Sequence, residues 1–219
     1  MNRYYYEFER VKNYCYPDSY VLRNKLDIRD AETLSIAERE FVSSKLAYVK
    51  ENPIKGNFDL NHLRRIHAYL FCDIYNWAGE LRTVNIAKGN QFCNYLHLET
   101  YADGVFAKLR AEKSLAGVSA EDMPTRLAYY LSEINVLHPF REGNGRAQRV
   151  FIEYLARSAG FRADFSNVSG QEMVEASAAS FALNYDMMES LFRRITTPIS
   201  AEEQRDFCKA IKPSQQRSR

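Results

Sequence analysis

His138-Pro139-Phe140-Arg141-Glu142-Gly143-Asn144-Gly145-Arg146-Ala147-Gln148-Arg149 brings together a titratable base, a carboxylate, an amide between two glycines, and two arginines three residues apart. Pro139 disfavours helical backbone at His138, so the apolar-periodic segment before it is predicted to end near Leu137 or His138. Gly143 and Gly145 can take positive φ and let backbone approach a ligand closely. A second helical pattern begins near Asn144 or Gly145 and runs through Arg146, Arg149, Val150, Phe151, Tyr154 and Leu155. The glycine turn therefore sits at a helix N-terminus, where free N–H groups and the helix dipole favour an anion.

Arg146 and Arg149 project from neighbouring positions on one helix face. Their guanidinium groups offer fixed, paired donors suited to a phosphate clamp. Glu142 is a hard oxygen ligand beside that clamp, so Mg²⁺ held partly by a nucleotide is the natural metal. His138, with an ordinary pKa near ~6.5, suits a general base at neutral pH. Phe140 is expected to turn into the core between the two helices. These parts describe a base that deprotonates a hydroxyl beside a clamped, metal-bound phosphate. Which phosphorus is attacked stays open at this level.

The stretch resembles the Fic-domain signature, HPFx[D/E]GNGRxxR, and matches it at every defined position. The resemblance implies a mostly α fold, a multi-helix bundle with one short β-hairpin flap over the active site. It implies a protein adenylyltransferase that moves AMP from ATP to a Ser, Thr or Tyr hydroxyl of a target protein. It assigns His138 as base and Glu142 as Mg²⁺ ligand. Gly143, Asn144, Gly145 and Arg146 would hold the α- and β-phosphates, and Arg149 the γ-phosphate. Fic scaffolds can also transfer phosphate, UMP or phosphocholine, and that remains an alternative.

The 219 residues fit one domain with small appendages: an N-terminal arm over 1–19, the Fic domain over 20–198, and a C-terminal helix and tail over 199–219. With 46% apolar and 13% aromatic residues the chain can build a sizeable core. Thirty Lys and Arg against twenty-eight Asp and Glu leave a formal charge of +2, so bulk charge gives no argument for nucleic acid. No direct nucleic-acid or membrane partner is expected. An intact His138 weighs against a non-catalytic binding module, and HExxH and GxxxxGK[ST] patterns are absent. Cys15, Cys72, Cys93 and Cys208 form no CxxC and are read as reduced thiols of a cytoplasmic protein, which the resemblance implies is bacterial. No signal peptide is visible and no apolar run approaches ~18 residues.

Along the chain, 20–28 reads as a short helix or turn with Leu22, Leu26 and Ile28 on its apolar side. Helices are predicted over 30–51, from Asp59 toward Ile74, over 99–113, from Ser119 to Leu137, from Asn144 to Gly160, and over 169–181 and 184–195. A short terminal helix follows Ser200. Asp59 and Ser119 are N-cap candidates, and Gly79 and Gly160 are C-cap candidates. His62 and His67 lie five apart on different faces and make poor metal partners. Trp77 is read as a core anchor. Strand chemistry occurs only over 82–98, where 83–87 and 92–96 flank a Lys88-Gly89-Asn90 turn. By resemblance this hairpin borders the active site and holds the target by strand addition, with Ile86, Lys88 and Phe92 as flap contacts.

Many Fic enzymes are inhibited by a helix bearing [S/T]xxxE[G/N], whose glutamate pairs with the second motif arginine. No such pattern occurs here. The resemblance then implies a small antitoxin that supplies the glutamate in trans, and a toxin of a bacterial toxin–antitoxin pair. Type II topoisomerase subunits are the targets implied by that class. The alternative is a translocated effector acting inside a host cell; effectors of this type often carry a further delivery domain, and only a short tail follows here.

Overall fold

Two helices that frame the signature, α4 (Met123–Leu137) and α5 (Asn144–Ser158), form the centre of the fold. A computed structural model of the chain describes residues 5–6 and 13–213. The first central helix opens where Ser119 Oγ accepts from Asp122 N–H at 3.1 Å, with Pro124 in its first turn. It buries Leu127, Tyr130, Leu131, Ile134 and Leu137 along one flank. Helix α5 buries Ala147, Val150, Phe151, Tyr154 and Leu155. Full burial of such side chains stabilises the fold by about 1.5–3 kcal/mol each.

Other helices pack around this pair. Helix α1 (Ala31–Glu51) starts at Asp30, whose carboxylate accepts from Thr33 N–H. Helix α2 (Leu60–Phe71) starts at Asp59, which accepts from His62 N–H, and lies against α5. Helix α3 (Leu98–Ala111) packs on α4. Helices α6 (Gly170–Phe181) and α7 (Asp186–Ile195) form a pair against α4, and α8 (Ala201–Ile211) packs on α5 through Phe207 and Ile211. The terminal helix is thus part of the main core.

The strands depart from expectation in three ways. The flap hairpin is shorter, with β2 (Ile86–Lys88) and β3 (Asn90–Gln91) paired around Gly89 at φ +78°. The return strand stops because Phe92 turns into the core and Asn94 caps a 3-10 turn at Tyr95–His97. A third strand, β1 (Tyr5–Tyr6), pairs antiparallel along β2, placing part of the predicted arm in the flap sheet. The rest of that arm before Asn13 lies outside the described residues. A second sheet joins β4 (Phe161–Ala163), in the expected connector, to β5 (Thr196–Pro198).

Smaller corrections concern turns. Residues 20–28 take the turn alternative and form no helix: Cys15 bridges to Leu22, and the Asn24 side chain bonds Leu22, Leu26 and Ile28 backbone. Leu26 is exposed rather than part of an apolar side. Gly79 is not a C-cap, since α2 ends at Phe71 with Cys72 in that place. Gly160 does follow the α5 C-cap with φ +94°. The four cysteines are free. Among the described residues no helix is long and apolar enough to cross a membrane.

Candidate active site

Helix α4 ends at Leu137, as the Pro139 rule requires, but His138 takes a left-handed backbone (φ 42°, ψ 60°) rather than an extended one. Its N–H still donates to Ile134 O at 3.1 Å. A non-glycine residue in this region is strained and is held by its surroundings. Arg82 does the holding. Its guanidinium donates to the carbonyls of His138 (2.8 Å), Leu137 (3.5 Å), Val84 (2.7 Å) and Cys93, while its own N–H donates to Pro139 O. One buried cation thus ties the base-bearing turn to both sides of the flap. The sequence offered no signal for this, because Arg82 stands between Trp77-Ala78-Gly79 and the hairpin without any periodic pattern.

The His138 ring is buried. Nδ1 lies 3.2 Å from Asn135 O. A carbonyl only accepts, so Nδ1 carries the proton and Nε2 carries the lone pair. Phe92 stacks on the imidazole at 3.7 Å, and Phe181 packs edge-on against Phe92 at 5.9 Å. Burial pushes the imidazole pKa down to about 3, with the nearby positive charges of Arg82 and Lys88 adding to the effect. His138 is therefore a neutral base at physiological pH.

After His138 the chain makes a tight turn. Phe140 is fully buried and stacks on His67 at 3.8 Å. The Asn144 side chain closes the turn by bonding both Phe140 N–H (2.9 Å) and Phe140 O (2.8 Å). Its amide is thus a structural clasp. Gly143 is the N-cap of α5, at φ +79°, and offers no side-chain acceptor to the first helical N–H groups. Those donors remain for an anion. A Cβ on Gly143 would lie 2.3 Å from the Phe71 ring, so no other residue fits. A Cβ on Gly145 would lie 3.3 Å from Arg149 Nη1, which places that guanidinium over the first turn.

The charged groups cluster beside this helix start. Arg146 Nη2 is 2.5 Å from Glu38 Oε1 and 3.8 Å from Glu142 Oε1, with its guanidinium over the Phe71 ring at 4.7 Å. Glu142 accepts from Gly143 N–H at 2.9 Å. Burial raises its pKa, and the negative charge of Glu38 raises it further. A cation brought there would relieve that repulsion. Among the described residues no group of three or more His, Cys, Asp or Glu side chains could hold a metal ion. Arg149 makes no ion pair among the described residues; Glu153 bears on it through charge alone.

His62 and His67 are both fully buried residues of α2. His67 Nδ1 accepts from Gly79 N–H at 2.8 Å, so its Nε2–H donates to Glu142 O at 2.9 Å. It joins the Trp77-Ala78-Gly79 loop to the signature turn. Trp77 stacks on Tyr75 at 4.3 Å beside it. Of the three flap residues, Ile86 and Phe92 are buried and only Lys88 is partly open.

A family model for the Fic/DOC family matches residues 57–156, which span α2 through most of α5. The chain is 40% identical over 199 residues to protein adenylyltransferase VbhT of Bartonella schoenbuchensis, covering 90% of this chain and 42% of that protein. It is 34% identical over 191 residues to the probable protein adenylyltransferase Fic of Escherichia coli K12, covering 87% of this chain and 94% of the other. The chain belongs to the Fic family.

A crystal structure of the Bartonella tribocorum effector BepC with bound AMPPNP superposes at a TM-score of 0.81 with 29% identity. It covers 86% of this chain and 98% of that one. The expected Fic fold and the expected enzyme class, protein adenylyltransferase, are both borne out by these relatives. The chain spans less than half of VbhT and nearly all of the E. coli protein.

Proposed function

We propose that this Fic chain transfers AMP from ATP to a hydroxyl of a target protein, with His138 as the base. The observation that carries the reading is the His138 tautomer: the Nδ1 contact with Asn135 O leaves the Nε2 lone pair to take a proton. The hydroxyl oxygen of a Ser, Thr or Tyr attacks the α-phosphorus as its proton passes to Nε2. The bond from that phosphorus to the bridging oxygen breaks, and pyrophosphate leaves. The α5 N-terminus and Arg146 hold the α- and β-phosphates, and Arg149 the γ-phosphate. Glu142 would hold Mg²⁺, which supplies positive charge against the phosphates. Lys88 and the β2–β3 hairpin border the entry for the target segment, while Ile86 and Phe92 act from inside the flap.

The biological role we propose is that of a bacterial cytoplasmic toxin restrained by a small antitoxin that brings a glutamate to Arg149. It is supported by the missing [S/T]xxxE[G/N] pattern and by Arg149 lacking an ion pair among the described residues. Type II topoisomerase subunits are the proposed targets. A second reading, an effector acting in a host cell, is favoured by one observation: BepC is itself described as a VirB-translocated effector. Expression in bacteria separates the two. Growth arrest that His138→Ala abolishes supports the toxin; unhindered growth with active enzyme contradicts it.

A further inference from the structure

Glu38 is a half-buried carboxylate on α1 whose two oxygens are both engaged. Oε1 accepts from Arg146 Nη2 at 2.5 Å, and Oε2 accepts from Tyr75 O–H at 2.5 Å. Tyr75 is itself fixed, with 1% of its surface exposed and its ring stacked on Trp77. Burial and the adjacent Glu38 charge push its phenol pKa far up, so it stays a donor. The chain Trp77–Tyr75–Glu38–Arg146 therefore runs from a rigid aromatic cluster to the first signature arginine. Phe71 beneath the guanidinium and Glu142 at 3.8 Å complete three sides of its surroundings.

A long arginine loses much rotamer freedom when it must meet a phosphate in one geometry. Fixing it beforehand removes that cost from binding. We propose that Glu38 and Tyr75 are positioning residues for the nucleotide, holding the Arg146 guanidinium in the orientation in which it meets the α- and β-phosphates. The inference rests on the assignment of Arg146 to those phosphates. Glu38 lies 108 residues before Arg146 in the chain and belongs to no part of the signature. It is also distinct from a glutamate that blocks Arg149, because it grips the other arginine.

The test is a double-mutant cycle read as the Kd of a non-hydrolysable ATP analogue with Mg²⁺, in the full chain. Glu38→Ala should weaken binding about tenfold in the native background and less than twofold when Arg146 is already alanine, because its effect runs through that side chain. Tyr75→Phe keeps the ring and its stacking and should weaken binding about threefold in the same direction. Glu38→Asp should recover part of the loss, and all variants should keep their melting cooperativity. Equal losses in both backgrounds would mean that Glu38 merely pins α1 to the core, and would overturn the proposal. Unchanged or tighter binding in Glu38→Ala would overturn it too, the latter showing that Glu38 competes with phosphate. If Arg146→Ala alone left affinity unchanged, the phosphate assignment would fail first, and the proposal with it.

Discussion

Phe92 lies flat on His138, with ring centroids 3.7 Å apart and planes 13° from parallel. The flap therefore does more than border the base; it covers it. Solvent does not reach His138 Nε2 in this arrangement, and the stack keeps the imidazole desolvated and neutral.

The pH response of the base should follow from that cover. With a pKa of about 3 the wild-type imidazole is neutral throughout pH 5–8, so its NMR titration should be silent there and the transfer rate should show no acidic limb from it. Phe92→Ala admits water and should bring the titration up toward ~6.5, with a matching acidic limb. A wild-type imidazole titrating near 6.5 would contradict this account.

Three buried histidines should also make the fold acid-sensitive. Burial lowers His62 to about 4, and His67 and His138 to about 3. Between those values and ~6.5 the unfolded chain binds protons that the native state refuses, so stability rises with pH through that window. Thermal melts should show Tm falling from pH 7 to pH 4.5. A flat profile would show that these imidazoles accept protons in the folded state.

His67 carries part of the architecture by itself. His67→Phe would leave Gly79 N–H and Glu142 O without their bonds while keeping the aromatic volume. Denaturant unfolding should show a loss of about 2–6 kcal/mol, at ~1–3 kcal/mol for each of the two buried groups left unsatisfied. A loss below ~0.5 kcal/mol would mean that water or a shift of the loop replaces both bonds.

The two signature arginines should separate by nucleotide. Arg149 sits over Gly145 without an ion-pair partner among the described residues, whereas Arg146 is held by Glu38. Arg149→Ala should weaken ATP by about tenfold and ADP by less than twofold, and Arg146→Ala should weaken both. Equal effects of Arg149→Ala on ATP and ADP would remove it from the γ-phosphate.

The signature itself was legible because its residues act near one another in sequence. Pro139 ends a helix at Leu137, Gly143 starts the next, and two arginines share a face, all within local rules. The helix starts near Asp30, Asp59 and Ser200 were equally readable, with Asp59 the N-cap that the sequence marks. The supports of the site were not, because each depends on a partner far along the chain. Arg82 reaches from the flap to the carbonyls of Leu137 and His138, Glu38 reaches Arg146, and His67 reaches the Glu142 carbonyl. The β1 and β4–β5 pairings were missed for a related reason. Strands of two or three residues are too short to show a period, and their ladders are set by tertiary neighbours. The Asn144 side chain closes the signature turn onto both backbone groups of Phe140, a bond pair that the spacing of the signature does not spell out.

The most direct measurement incubates the protein with a bacterial lysate, Mg²⁺ and ATP labelled at the α-phosphate, beside a parallel γ-labelled sample and a His138→Ala control. AMP transfer predicts a labelled protein band with the α-label alone, absent from the control. A His138-dependent band carrying the γ-label alone would mean phosphate transfer, and would contradict the account.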